Sequence, residues 1–149
     1  MSDRSDPAAA TLPCICGRVR RAARRVSQIY DRHLEPFGLT ITQFGLLAQL
    51  GRESDLSIGQ FADRMVMDPT SLTRGLKPLE RRGLLRLAPD PDDRRTRRVS
   101  LTPEGLATLK AARPGWEAAQ AEVQLALGHA ESADLVTRLD HTLMRLQPR

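Results

Sequence analysis

The chain has few aromatic residues, few cysteines and almost no lysine. Phenylalanine, tyrosine and tryptophan together make up 3% of its 149 residues, so its core must be built mainly from leucine, valine and alanine. Its two cysteines, Cys14 and Cys16, cannot cross-link a domain of this size, and they lie too close together for an ordinary disulfide. We therefore expect one domain, or one domain with helical extensions, in a reducing compartment.

Several other features that would indicate a function are also missing. No apolar run reaches membrane-spanning length, and residues 1–11 have no signal-peptide pattern. We therefore expect a cytoplasmic protein without a membrane partner. Residues 1–11 are predicted to be a disordered tail. The histidines lack the spacing of zinc ligands, and there is no glycine-rich phosphate loop or nucleophile elbow. The sequence thus predicts no metal, no cofactor and no enzymatic activity.

Positive charge is carried almost entirely by arginine. Basic residues outnumber acidic ones 23 to 18, the formal net charge is +5, and Lys77 and Lys110 are the only lysines. Arginine makes paired hydrogen bonds with phosphate and guanine, so this composition favours an anionic partner such as nucleic acid. A GC-rich genome produces the same bias, so the positions of the arginines matter more than their number.

Residues 67–83 predict a short helix with two different faces. Asp68 suits the N-cap, and Gly83 suits the position after the C-terminus. Pro78 predicts a bend near the end. Leucines spaced four and three apart predict a buried stripe formed by Leu72, Leu76 and Leu79. The other face suits a helix in the DNA major groove, with the candidate contacts Pro69, Thr70, Ser71, Thr73, Arg74 and Lys77.

A basic hairpin is predicted directly after this helix. Residues 84–87 and 97–101 form two strand-like runs, separated by a turn-rich loop over residues 89–95. Arg94 and Arg95 lie near the tip, and Arg97 lies on the returning strand. Arginine at a projecting tip suits the narrow and strongly negative minor groove. Each element has a simpler alternative: the hairpin could be a solvated charge cluster, and residues 67–83 could be a solvated amphipathic helix. The two elements in succession, however, predict a winged helix-turn-helix.

Helical periodicity predicts further helices on both sides of this unit. A helix with an apolar seam is predicted over residues 13–34. Capping boxes that start at Thr40 and Ser57 predict the beginnings of two more helices. Thr102 is expected to cap a further helix, in which Pro114 should produce a kink. Ser132 is expected to begin the last helix. The fold class is mainly α with a small β-hairpin wing. Its predicted parts are a tail (1–11), a dimerisation helix (12–35), the winged helix-turn-helix (36–102) and C-terminal dimerisation helices (103–149).

The order of these elements resembles the MarR family of bacterial transcription regulators. The segments that carry the resemblance are residues 38–44 (GLTITQF), 68–74 (DPTSLTR), 79–84 (LERRGL) and 92–105 (DDRRTRRVSLTPEG). The resemblance implies a homodimer, joined by its first and last helices, that places two recognition helices in the major groove of a double-stranded operator. It also implies that Asp93 and Arg95 match the family's Asp-x-Arg wing signature, in which the arginine enters the minor groove and the aspartate steadies it.

A physical argument also favours a dimer. The terminal helices carry long apolar faces outside the small winged-helix core, and without a partner these faces would form an unusually large exposed patch. A two-fold dimer predicts a roughly palindromic operator with half-sites about one helical turn, 10–10.5 bp, apart. The expected function is therefore a sequence-specific DNA-binding regulator, with repression by DNA binding and release by a small organic effector.

The resemblance leaves two effector mechanisms open. Many family members bind a small aromatic or acyl ligand, and the residues here that could line such a pocket are Arg24, Tyr30, Phe37, Phe44 and Trp116, although these aromatics can equally be ordinary core. In the hydroperoxide-sensing branch a cysteine on the first helix is oxidised. There, two tyrosines stabilise the thiolate of that cysteine. Cys16 matches the cysteine and Tyr30 matches one of the tyrosines, but Ile41 occupies the position of the second tyrosine and removes its hydroxyl donor. We therefore expect Cys16 to be buried and inert, and the effector to be an organic, anionic or aromatic molecule.

A helical protein-interaction module with an incidental basic face is the competing class of function. A gel shift on the DNA upstream of the gene, titrated with salt, separates the two classes. Steep salt dependence with a preferred palindrome would support the regulator, and no binding at low salt would support the interaction module.

Overall fold

The computed structural model describes residues 12–148, so the tail predicted over residues 1–11 lies outside it. The described elements, in chain order, are α1 (Ile15–Leu34), a 3₁₀ turn (Glu35–Phe37), α2 (Ile41–Arg52), β1 (Leu56–Ser57), α3 (Ile58–Met65), α4 (Pro69–Arg81), β2 (Leu85–Pro89), β3 (Arg97–Leu101), α5 (Pro103–Leu127) and α6 (His129–Arg145). The predicted fold class is confirmed, because the structure is mostly helical with a small antiparallel sheet.

The sheet contains the predicted hairpin and one further strand. Its order is β1, β3, β2, and all neighbouring strands are antiparallel. β1 was not predicted, because its two residues are too short to show an alternating pattern. Leu56 of β1 pairs with Val99, and Ser57 pairs with Arg98. Since Ser57 is also the N-cap of α3, this strand joins the wing to the beginning of the helix-turn-helix.

Side-chain caps set the start of most helices, as predicted. Thr40 and Ser57 each form a capping box with the glutamine three residues later, while Asp68 caps α4 and Thr102 caps α5. Each cap supplies an oxygen to a backbone N–H group that has no partner within its own helix.

The start of α6 differs from the sequence prediction. α6 begins at His129 and not at Ser132, because Gly128, with a φ of 92°, ends α5 and leads directly into α6. Pro78 and Pro114 lie inside α4 and α5, and each helix continues through its proline as one element, of 13 and 25 residues respectively. The bend expected at each proline stays a prediction. Since proline removes only one N–H donor, packing on both sides can hold the helix together.

The core lies beneath α4 and confirms the predicted leucine stripe. Leu72, Leu76 and Leu79 are 0% exposed. Other fully buried members of the same cluster are Leu46, Leu47, Phe61, Leu85 and Val99. Because burial of one leucine side chain contributes about 1.5–3 kcal/mol, this stripe determines which face of α4 points away from the protein.

The end of α4 is joined tightly to the start of α5. Gly83, with a φ of 71°, forms the left-handed turn after α4, and the N–H of Leu84 donates to the carbonyl of Leu79 at 3.0 Å. The Thr102 hydroxyl donates to the carbonyl of Gly83 at 2.6 Å. A Cβ atom at Gly105 would lie 1.8 Å from the carbonyl oxygen of Leu84, so the first turn of α5 can approach this closely only with glycine at position 105.

We expect Gly105→Ala to lower the free energy of unfolding by about 1–3 kcal/mol, because the added methyl group meets backbone and forces α5 to shift. Urea unfolding measures this change. Gly59→Ala is the matched control, since the Ser57 hydroxyl lies 4.0 Å from a Cβ at that position, and alanine favours a helix. Equal unfolding free energies for wild type and Gly105→Ala would contradict the close approach.

Candidate nucleic-acid interface

The outward face of α4 carries most of the residues predicted to contact DNA. One shallow surface depression is lined by Pro69, Thr70, Thr73, Arg74 and Lys77. Arg74 and Lys77 are exposed, and within residues 12–148 neither forms an ion pair with a carboxylate. Both cations are therefore available to an external anion.

Two of the predicted contact hydroxyls have internal partners. The Ser71 hydroxyl donates to Asp68 at 2.6 Å, and the Thr73 hydroxyl donates to the Pro69 carbonyl at 2.8 Å. Their oxygens can still accept a hydrogen bond, but their hydrogens are used to order the first turn of α4. Thr70 is exposed and has no internal hydrogen-bond partner for its hydroxyl among the described residues.

Asp68 supplies negative charge at the N-terminus of α4. Its carboxylate accepts the Ser71 hydroxyl and also the Ser71 N–H, the latter at 2.8 Å. These hydrogen bonds, the hydroxyl first, hold the pKa of Asp68 below its ordinary value. The charged carboxylate also interacts favourably with the helix dipole, so the cap orders the turn that carries Thr70.

Two aspartates order the loop at the tip of the wing. Asp90 Oδ1 accepts the N–H groups of Asp92 and Asp93 at 2.8 Å and 3.2 Å. Asp93 in turn accepts the N–H of Arg95 at 3.0 Å and the hydroxyl of Thr96 at 3.1 Å. Asp93 therefore contacts Arg95 through the backbone, and the Arg95 guanidinium projects from a loop whose main chain is hydrogen-bonded.

The wing arginines fall into two groups. Arg94, Arg95 and Arg97 are exposed, and none has an ion-pair partner in the described part of the chain. Arg98 instead donates to Asp55 at 3.0 Å and to Asp90 at 3.1 Å. The sequence shows no sign of the first contact, because Asp55 lies 43 positions away from Arg98.

A cavity of about 280 Å³ lies between α2 and α5. It is lined by Phe44, Ala48, Gly51, Arg52, Leu106, Leu109, Lys110, Arg113 and Trp116. Phe44 and Trp116 stack with their ring centroids 6.2 Å apart. The structure thus brings together two of the five residues predicted to line an effector pocket, and it adds three cations that the sequence pattern did not reveal.

The other three residues of the predicted pocket lie elsewhere, so that prediction needs correction. Tyr30 is buried, its hydroxyl donates to Gln120 of α5, and burial raises its pKa. Phe37 packs against Gly115, where an added Cβ would lie 2.7 Å from the ring. Arg24 is exposed and does not line the cavity. Tyr30 and Phe37 serve instead to pack the α1 region against α5.

Helical spacing could have pointed to two of the three cations of this cavity. Lys110, Arg113 and Trp116 lie three residues apart along α5 and therefore share a face. Arg52 comes from the last turn of α2, and only the packing of α2 against α5 shows that it belongs to the same site. Arg113 also pairs with Glu117 at 3.1 Å.

Both cysteines are exposed and unbridged in the single chain, so no other part of residues 12–148 buries Cys16, and its burial in a dimer stays a prediction. The Cys14 sulfur accepts the Gly17 N–H at 3.3 Å and caps α1. The start of α1 extends beyond the core, which leaves Ile15 and Val19 exposed as well. At this end of α1, the apolar seam that we expected to bury Cys16 meets no partner among residues 12–148.

Neither a metal site nor a membrane segment is found in the described part. The histidine, cysteine, aspartate and glutamate side chains of residues 12–148 form no group of three that could hold a metal ion. Among the same residues, no helix combines the length and apolar character needed to cross a bilayer.

A winged helix with a cationic helix face and a basic hairpin defines a DNA-binding transcription regulator, and comparisons with known proteins identify the family. The MarR family model matches residues 37–96. The HTH-type transcriptional regulator MhqR of Bacillus subtilis is 26% identical over 119 residues, which cover 80% of this chain and 81% of MhqR. The chain belongs to the MarR family and, as predicted, is a transcriptional regulator and not an enzyme.

Solved structures show the same architecture. The transcriptional regulator MosR of M. tuberculosis, in complex with DNA, is 37% identical with a TM-score of 0.72, over 87% of this chain and 98% of that one. BpsR of Bordetella bronchiseptica is 27% identical with a TM-score of 0.78, over 90% of this chain and 94% of that one. The similarity therefore includes the helices on both sides of the winged helix-turn-helix.

We expect an NMR titration to place the pKa of the Asp68 carboxyl below its ordinary value, and Ser71→Ala to raise it by removing the strongest donor. The stabilisation from this cap is complete above the pKa of unfolded aspartate, and it is lost as pH falls through the lower pKa of the folded state. The difference in melting temperature between wild type and Ser71→Ala should therefore narrow in acid. Thr73→Ala is the control, and an unchanged Asp68 pKa in Ser71→Ala would contradict the role of the hydroxyl.

Proposed function

We propose that this protein is a homodimeric repressor that binds a palindromic operator in the cytoplasm and is released by a small organic anion. One observation carries the DNA-binding part of the proposal. The apolar side of α4 is buried, while its opposite side presents Arg74 and Lys77, which have no carboxylate partners among residues 12–148. An exposed, unpaired cationic face on a rigidly held helix is the arrangement that major-groove reading requires.

The proposed base contacts come from the first two turns of α4. Arg74 can make a bidentate contact with guanine, and Thr70 can reach a base edge or a phosphate. Lys77 lies one turn further on, where phosphate contact is expected. Pro69, Ser71 and Thr73 complete the proposed surface, with Ser71 and Thr73 available only as acceptors because their hydrogens are already donated.

The wing is proposed to insert Arg95 into the neighbouring minor groove, with Arg94 and Arg97 near the phosphates. The hydrogen bonds from Arg95 and Thr96 to Asp93 support this role, because they order the loop before DNA is bound. A preordered loop loses less conformational entropy on binding. The narrow minor groove attracts arginine through its concentrated negative potential.

We expect Arg74→Ala to weaken binding to the specific operator by about 1–3 kcal/mol and to relax the preference at one base pair in each half-site. Fluorescence anisotropy with specific and random duplexes, at one fixed salt concentration, measures both effects. Arg145→Ala is the control, because it removes the same charge from the exposed end of α6. Equal weakening on both duplexes would show that Arg74 contacts only phosphate.

The terminal helices support the proposed dimer. α6 has no buried residue within the chain, and its exposed apolar side chains include Leu135, Val136, Leu139 and Leu143, followed by Leu146 at its C-cap. At the other end, Ile15 and Val19 of α1 are also exposed. Such a large apolar surface would be costly to leave in water, and a second copy with the same faces can cover it by two-fold symmetry.

We expect sedimentation to give a dimer at micromolar concentration, and Leu139→Asp to shift it towards monomer, because a charge would be buried without a partner. His141→Asp is the matched control, since position 141 lies about 200° around the helix from position 139. A folded wild-type monomer would contradict both the dimer and the palindromic operator, whereas a dimeric Leu139→Asp would exclude this face of α6 from the interface.

The α2–α5 cavity is the proposed effector site. Its stacked aromatics suit a flat ligand, and within residues 12–148 Arg52 and Lys110 have no carboxylate partner. In the related BpsR, DNA binding is regulated by 6-hydroxynicotinic acid. A flat aromatic anion of this kind fits both the charge and the size of the cavity in this chain, and its release of DNA would make the protein a ligand-controlled repressor.

The exposure of Cys16 in the single chain motivates a second candidate mechanism, in which a hydroperoxide oxidises the thiol to a sulfenic acid and weakens DNA binding. Two observations favour the organic ligand instead. Ile41 stands where the second supporting tyrosine would be needed. The hydroxyl of Tyr30 donates to Gln120 and is not free to support a thiolate.

We expect a panel of aromatic carboxylates that includes 6-hydroxynicotinate to release DNA from wild type and from Cys16→Ser at equal concentrations. Release of DNA from Lys110→Ala should require a higher ligand concentration, because the substitution removes one of the cations that line the cavity. Stoichiometric hydroperoxide should release neither protein. The redox mechanism would replace the ligand mechanism if hydroperoxide released wild type and spared Cys16→Ser. Gel shifts at fixed salt measure all of these outcomes.

A further inference from the structure

We propose that Arg98 is the residue that positions the wing, and that it acts by holding the hairpin to the segment before α3 and not by contacting DNA. The inference rests on the proposed insertion of Arg95 into the minor groove. It separates Arg98 from the other basic residues of the hairpin, which the sequence alone presents as one cluster.

All three nitrogens of the Arg98 guanidinium donate hydrogen bonds within the protein. Its Nε donates to Asp55 Oδ1 at 3.0 Å, its Nη1 donates to Asp90 Oδ2 at 3.1 Å, and its Nη2 donates to the Asp55 carbonyl oxygen. The Arg98 side chain is 29% exposed and that of Asp90 is 15% exposed. The planar fork of arginine can reach two partners in different directions, which the single ammonium group of lysine cannot do in the same geometry.

Each of the two aspartates belongs to a different part of the winged helix. Asp90 is at the entrance of the wing loop, where its other oxygen accepts the N–H groups of Asp92 and Asp93. Asp55 directly precedes β1 and has a φ of 62°, a left-handed conformation that is uncommon outside glycine. Arg98 binds the side chain and the carbonyl of Asp55, and so stabilises this conformation.

Arg98 therefore connects the wing tip to the entrance of α3. Ser57, two residues after Asp55, pairs with Arg98 in the sheet and caps α3. Among the described strands, the hairpin of β2 and β3 pairs with one other strand, the two-residue β1. Arg98 adds a side-chain connection between the hairpin and the segment that leads into β1. Removal of the Arg98 guanidinium should leave the hairpin formed, because Leu85 and Val99 hold its base in the core. The wing loop would become free to change its position relative to α4, and this position determines whether Arg95 and Arg74 can reach adjacent grooves together.

Charge provides an independent way to separate the two roles. An arginine that neutralises a phosphate releases counterions, so its loss lowers the slope of log affinity against log salt by about 0.9. Arg98 already faces two carboxylates, and its loss should leave that slope nearly unchanged. Loss of a true phosphate contact, in contrast, must reduce it.

The first test needs no DNA. Hydrogen exchange is measured by NMR at the N–H groups of Asp92, Asp93 and Thr96 in wild type, Arg98→Ala and Arg97→Ala. We expect exchange at these positions to be about tenfold faster in Arg98→Ala, with little change in the amides of α4. Arg97→Ala, the adjacent exposed arginine, should match wild type. Unchanged wing exchange in Arg98→Ala would overturn the inference.

The second test is a double-mutant cycle on operator affinity with Arg95→Ala, Arg98→Ala and the double variant. If Arg98 positions Arg95, the loss caused by Arg95→Ala should be about tenfold in the wild-type background and less than about threefold when position 98 is alanine. Additive losses, or a salt slope lowered by Arg98→Ala, would show that Arg98 is a DNA contact and would overturn the inference.

A conservative variant separates charge from geometry. Arg98→Lys keeps the positive charge but cannot bind Asp55 and Asp90 together, so we expect it to behave like Arg98→Ala in both tests. Full recovery by lysine would contradict positioning through the two aspartates. Because hydrogen exchange decides the structural link without DNA, a wild-type protein that bound no operator would overturn the proposed function and not the inference.

Discussion

Burial of the leucine stripe of α4 is the interaction on which the rest of this structure depends. Leu72, Leu76 and Leu79 are fully buried, so α4 has only one rotational setting that keeps its apolar side out of water. In that setting Arg74 and Lys77 point outward. The Asp68 cap and the left-handed turn at Gly83 fix the two ends of the helix. The proposed reading face is therefore a consequence of core packing.

The same helix is connected to the proposed effector site through α5. The first turn of α5 touches the backbone at the end of α4, because Gly105 lies against the carbonyl of Leu84 and Thr102 donates to that of Gly83. The next turns of α5 carry Leu106, Leu109 and Lys110 of the cavity. In the proposed mechanism a ligand that shifts α5 also shifts α4, and its effect on DNA affinity cannot exceed its difference in affinity for the two arrangements.

Features that depend on local sequence were predictable, and features that depend on distant packing were not. Asp68, Gly83 and the leucine stripe follow from helix capping and periodicity, which act within a few residues. The contact of Arg98 with Asp55 and the addition of β1 to the sheet join segments far apart in the chain, and no local pattern indicates them. The predicted pocket was partly misplaced for the same reason, because periodicity cannot tell that Tyr30 and Phe37 pack against α5 while Arg52 reaches the cavity.

Two footprinting reagents on the DNA beside the gene test the proposed dimer on one duplex, because dimethyl sulfate reports guanine N7 in the major groove and hydroxyl radicals report the backbone and the minor groove. We expect two protected major-groove segments related by two-fold symmetry, about 10–10.5 bp apart, with protected minor groove outside each of them. A single protected segment, or protection that follows no palindrome at any salt concentration, would contradict a dimer that reads DNA with two α4 helices and two wings.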